Sequence, residues 1–230
     1  AQARRHTFLR RQTNRQRYRD APLDDDLLER LSTAPGSAIA YRSDPGLVAL
    51  VVEQASRAFL AQLRDRDARL ELRRLVRVEG DDAKDGLGAD AFGLSPGLLH
   101  LALGLPALAT GLLLRGRLLA SRERASGGGS AVLWLRSPFS TARDCAECGR
   151  ALLDIWIELT GAALAFQPYI SVVADEELLA RIGEPAVDDR GEVWLVGRVG
   201  HAPRAPESGR RDVADLVRYL PMPIVSPLIR

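Results

Sequence analysis

Apolar residues recur at three- and four-residue spacing in two long stretches and in unbroken runs in two others. The chain therefore reads as helices packed around a few buried strands. Leu47, Leu50, Val51, Ala55, Ala58 and Phe59 predict a helix over 46–64. Leu152, Ile155, Trp156, Leu159 and Ala163 predict a second over 141–166. Gln167-Pro168 closes it, because a proline disfavours helical geometry in the residue before it. Ala131–Leu135 and Glu192–Val199 are short apolar runs typical of buried strands, and Ala38–Arg42 is a further short strand. Three acids, Asp24 to Asp26, open a short helix ending near Leu31, since the helix dipole favours anions at that end. Residues 68–78 predict a highly charged helix with a solvated face, and 176–182 another, stopped by Gly183 and Pro185.

The stretches between are less regular. Residues 80–97 are rich in Asp and Gly and read as loop. The apolar run 98–114 carries Gly104, Pro106, Gly111 and His100. It is shorter than the ~20 residues a bilayer span needs, so a buried helix or helix pair bent at Pro106 is expected, with no membrane partner. Ser126-Gly127-Gly128-Gly129-Ser130 is a flexible connector. Residues 213–220 form a short helix or turn. The tail 221–230 holds three prolines and suits an arm laid on another subunit. No internal repeat is present. Helices segregated around a few strands give an α+β layer architecture, with residues 1–230 as a single domain.

Composition narrows the function classes. With 230 residues, 46% of them hydrophobic, a substantial core can form. A net charge of +2 does not suit a general polyanion binder, although residues 1–20 concentrate seven arginines. Cys145 and Cys148 cannot build a disulfide framework, so the reading is cytoplasmic. They form a lone C-x-x-C without a second ligand pair for zinc, and no metal site is expected; two free thiols on a helix are the plainer reading. His201 follows a strand-ending glycine and reads as a surface turn residue. Trp134, Trp156 and Trp194 sit in apolar runs and read as core. No Walker or Rossmann glycine pattern occurs.

Candidate chemistry lies at the two ends. Arg10-Arg11-Gln12-Thr13-Asn14-Arg15 near one end and Ser208-Gly209-Arg210-Arg211 near the other supply guanidinium forks and a hydroxyl. These are the groups that recognise a phosphate. Two clusters so far apart in sequence share one phosphate only if the fold joins them. The order of blocks resembles the nitroreductase family of FMN-dependent oxidoreductases. Those blocks are the Arg-Arg-x-Thr-x-Arg opening with Pro22 and a helix after it, the strand at 132–135 before a long helix, the short helix from Leu178 to Pro185, the Val199-Gly200-His201-Ala202-Pro203 turn, and the closing Arg-Arg. The sequence departs from the family at 33–39, which lacks the usual Asn and Gln, and at Ala163, where a glycine is usual.

The resemblance implies a nitroreductase-like fold: a small, mainly antiparallel sheet flanked by helices, in a homodimer with FMN at the interface. It implies that Arg11, Gln12, Thr13 and Arg15, with Arg210 or Arg211, grip the FMN phosphate. It places Gln167, Pro168 and Tyr169, with Ile170, beside the flavin ring, where a backbone N–H donates to N5. It implies hydride transfer from NAD(P)H or an organic substrate to a second small-molecule acceptor, with no catalytic side chain named. Two other readings remain open: a low-turnover flavin-storage protein of the same fold, and a nucleic-acid binder using the arginine-rich segment. Only Phe8 and Tyr18 are interleaved with those arginines, which is poor provision for base stacking, so no nucleic-acid partner is expected.

Overall fold

The computed structural model describes residues 2–33, 39–77, 86–88, 91, 95–104, 129–182, 187–188 and 191–206. The seven helices described are α1 (Gln2–Arg10), α2 (Asp25–Thr33), α3 (Pro45–Arg64), α4 (Arg66–Leu75), α5 (Pro96–Gly104), α6 (Ala142–Gly161) and α7 (Glu176–Ile182). The strands described are β1 (Ile39–Arg42), β2 (Val76–Arg77), β3 (Leu87–Gly88), β4 (Ser130–Ser137), β5 (Ala165–Pro168), β6 (Val187–Asp188) and β7 (Gly191–Gly200).

The main sheet runs β1-β4-β7-β5, with β6 on the start of β7, and every pairing in it is antiparallel. All eight residues of β4 are buried, because helices cover both faces. Val132 and Trp134 point to one side and join Val48, Val51 and Val52 of α3 and Leu178 and Leu179 of α7. Ala131, Leu133 and Leu135 point to the other and join Leu28 of α2 and Ile155 and Leu159 of α6. This is the period-two alternation of a strand with two buried faces. A bulge between Leu135 and Arg136 leaves Trp194 as the extra residue of β7, so Val193 and Val196 share one face.

Side-chain caps fix the helix starts. Asp44 accepts the Leu47 N–H at 2.6 Å ahead of Pro45, and Asp65 accepts the Ala68 N–H at 2.8 Å. Thr141 and Asp144 form a reciprocal capping box on α6. α3 has the length and composition to cross a membrane, yet its Leu47, Val48, Val51, Val52 and Ala55 are buried against the sheet and α7. A third cluster, Leu63, Val76, Leu99 and Leu103, lies away from the sheet.

Several expectations need correction. Residues 2–10, to which the sequence pattern assigns no element, form a helix that packs on α6 with Arg4 paired to Asp154. The charged helix at 68–78 stops at Leu75, and Val76–Arg77 pairs in parallel with Leu87–Gly88 inside the expected loop. α5 begins at Pro96, and Ser130 belongs to β4 rather than to the connector. The long helix at 141–166 ends at Gly161, and Ala165–Pro168 is a strand. The expected bend at Pro106, the helix or turn at 213–220 and the tail 221–230 lie outside the described residues.

Candidate functional site

The site is assembled where the segment after α1 meets the strand after α6. That strand is set by how α6 stops. Ala163 donates to Thr160 O at 3.1 Å and Leu164 donates to Leu159 O at 2.8 Å. This pair of bonds is a Schellman motif, with the buried Leu159 and Leu164 side chains in one cluster. Its αL position, Ala163, has φ 58°. The position normally suits glycine, which is also the residue usual there in the family the sequence resembles. The chain then reverses into β5, an edge strand, where Pro168 is tolerated as the last residue.

The segment from Arg11 to Arg19 runs along this edge. Thr13 forms a parallel bridge with Phe166, and Asn14 N–H donates to Phe166 O at 3.0 Å. The Asn14 side chain donates to Pro203 O at 2.7 Å and accepts the Gln16 N–H at 2.9 Å. Tyr18, 5% exposed, offers its hydroxyl to Asn14 O at 3.3 Å and Arg198 O at 3.4 Å. Arg19 N–H donates to His201 O at 2.7 Å. The Arg11 guanidinium lies over the Phe8 and Trp156 rings, 4.8 and 5.4 Å from their centroids.

The charges converge on Tyr169. Its hydroxyl donates to Gln167 Oε1 at 2.9 Å. Burial pushes its pKa up to about 12, with Arg198 and Arg15 both pulling the other way. Burial also draws the Arg15 guanidinium below its usual range, with Tyr169 opposing. Burial, and then Tyr169, hold the Tyr18 hydroxyl well above its ordinary value, against Arg198. Two cations and two phenols thus share one weakly solvated region, where electrostatic effects are strong. The buried Gln12 Oε1 has no hydrogen-bond partner among the described residues.

Backbone donors in this region are not equivalent. The Tyr169 N–H is committed to Val196 O at 2.7 Å, and Pro168 has none. Ile170 is 65% exposed, and its N–H has no acceptor among the described residues. Of Pro168, Tyr169 and Ile170, Ile170 alone has an N–H left without an acceptor among the described residues.

The fold is shared with solved structures. The FMN and NADPH-dependent nitroreductase NfnB from sphigopyxis sp. strain HMH superposes with a TM-score of 0.53 at 17% identity, over 95% of this chain and 99% of that one. The FMN-dependent nitroreductase NfnB from Mycobacterium smegmatis, solved in complex with NADPH, gives 0.51 at 16% identity, over 96% and 99%. A nitroreductase-like family protein from Bacillus cereus gives 0.50 at 10% identity, over 94% and 95%. The chain has the nitroreductase fold. No protein-family model and no curated protein matched the sequence.

Thr13 and Asn14 meet β5 at Phe166 and Arg15 faces Tyr169, so the two stretches picked from sequence meet, while Arg11 lies over Phe8 and Trp156. Gln167 and Pro168 reach this place as strand residues and not as a helix-ending loop. Arg210 and Arg211 lie outside the described residues, as do residues 34–38 of the divergent stretch. Asn14, Tyr18 and Arg198 were not picked from sequence. The available signal was Arg198, a charge inside an otherwise apolar strand run. Cys145 is exposed and Cys148 buried on α6, its thiol raised by burial against a Ser137 hydrogen bond. Among the described residues, no group of His, Cys, Asp or Glu could hold a metal ion.

Proposed function

We propose that this protein is an FMN-dependent oxidoreductase that passes hydride between NAD(P)H, or an organic substrate, and a second small-molecule acceptor. The observation that carries this reading is the meeting of the Arg11–Arg15 segment with Gln167–Tyr169 on a nitroreductase fold. The donor set fits a phosphate monoester: a partly buried guanidinium at Arg15 and a hydroxyl at Thr13, with Arg11 as a further cation of the same segment. The buried, unsatisfied Gln12 Oε1 suits a hydroxyl or imide N–H of the same ligand.

In this reading Arg15 and Thr13 hold the phosphate end. Gln167, Pro168 and Tyr169 form the wall of the ring site, and the Ile170 N–H, without an acceptor among the described residues, is the donor assigned to it. Bound flavin supplies the hydride chemistry, while the chain supplies position and electrostatics. Tyr169, protonated up to about pH 12, stays a neutral hydrogen-bonding group throughout the physiological range. The apolar exposure of Leu9 at 67% and of Ile170 at 65% supports a homodimer that covers these residues. Arg11 on Trp156 and the partly buried Arg15 support use of these arginines within the fold over nucleic-acid binding.

The test is the visible spectrum of the purified protein, followed by steady-state oxidation of NADH and NADPH with a quinone or nitroaromatic acceptor. Flavin bands and turnover are expected. A protein that stays colourless after incubation with FMN at low salt refutes the reading, and bound flavin without turnover would make it a storage protein.

A further inference from the structure

Arg198 occupies the middle of β7, paired with Val132 on one side and Gln167 on the other. It is only 6% exposed. A guanidinium at that depth is costly unless its donors are met. Its Nε and Nη2 both donate to Ser130 Oγ, at 3.2 and 3.0 Å. Its plane lies over the Tyr18 ring, 4.3 Å from the centroid. Tyr18 in turn bonds Asn14 O and Arg198 O, and Asn14 is tied to Phe166 and Pro203. A continuous relay thus runs from Ser130 through Arg198, Tyr18 and Asn14 to the residues flanking Asn14, which are Thr13 and Arg15.

We infer that Arg198 is a positioning residue: its buried guanidinium fixes where the Thr13–Arg15 segment lies against β5 and β7, and so sets the grip on the phosphate end of the ligand. The inference deepens the flavin reading and rests on it for the ligand, though not for the segment. Arginine is needed rather than any long side chain, because the fork on Ser130 and the stack on Tyr18 are made by one planar group. An apolar residue would fill the space but hold neither partner. A lysine would keep the charge but lose the fork and the stack.

Two measurements test this on the full chain. The first is hydrogen–deuterium exchange of the ligand-free protein, read at Asn14 and Arg19, whose amides bond Phe166 O and His201 O. Arg198→Met is expected to speed exchange there by about tenfold or more, with β4 and β7 amides unchanged. Ser130→Ala moves the same amides in the same direction. It is the milder change, and it carries the test if Arg198→Met does not fold.

The second measurement is affinity for FMN against riboflavin, which lacks the phosphate. The variants should lose FMN affinity by about tenfold or more while riboflavin affinity holds. Arg198→Lys should follow Met rather than wild type. Unchanged protection at Asn14 and Arg19 in a folded Arg198→Met or Ser130→Ala protein overturns the inference. So does equal loss of FMN and riboflavin, faster exchange throughout β4 and β7, or full rescue by lysine. If the wild type binds no flavin, the oxidoreductase reading falls, and the exchange data still decide the role of Arg198.

Discussion

Ala163 offers a direct test of how β5 is held. It occupies the left-handed position of the Schellman motif with φ 58°, and it is exposed, so its side chain packs on little. Holding an L-residue there costs about 1–2 kcal/mol. Replacing it with glycine removes that cost but adds about 0.4–1 kcal/mol of unfolded-state entropy. The difference predicts a net gain of about 0.5–1 kcal/mol for Ala163→Gly. For a chain of this length that corresponds to a rise of about 1–4 °C in Tm. Urea denaturation with an unchanged m-value, alongside thermal melts, would measure it. Ala163→Asn should be near neutral, since asparagine tolerates this region, and Ala163→Val should lose stability. If glycine lowers stability while valine leaves it untouched, the strain argument is wrong and the turn is held by something other than backbone conformation.

Other expectations follow from neighbouring features. Gly197→Ala would drive a methyl into the Phe166 ring, which is 1% exposed, and should cost about 1–3 kcal/mol in a chemical denaturation curve while loosening β5. The Tyr169 pKa is raised in the folded state, so its contribution is complete below pH 10 and declines as pH rises from 10 to about 12. The slope is at most about 1.4 kcal/mol per pH unit for this group, and Tyr169→Phe should flatten a urea-midpoint profile over that range. Arg15→Ala should weaken FMN by about 1.5–3 kcal/mol in a fluorescence titration and leave riboflavin nearly untouched; equal loss of both would move Arg15 away from the phosphate.

Where local chemistry and burial agreed, the fold was legible. The α7 range of 176–182 follows directly from its acids, its three buried apolar residues and the glycine after it. β4 announced itself by five consecutive apolar residues, and α3 by its spacing. The end of α6 was hidden because residues 162–166 are Ala, Ala, Leu, Ala and Phe, good helix company with no glycine at the break. Only the tertiary pull of Leu164 and Phe166 into the sheet reveals the reversal. α1 escaped notice because Phe8 and Leu9 are adjacent and give no stripe. At the site, residue types with obvious affinity for phosphate were picked. The residues that hold them, Asn14 and Tyr18, act through backbone carbonyls and packing, which leave no composition signal.

The bond from Asn14 to Pro203 joins residues 189 positions apart. During synthesis Asn14 leaves the ribosome long before its partner exists. At about 5–20 residues per second that interval is roughly 10–40 s. Throughout it the arginines beside Asn14 have neither β5 nor β7 to rest on, because both strands are made later. The Thr13–Arg15 segment is therefore translated well before the strands that seat it, and its docking waits for β5 and β7.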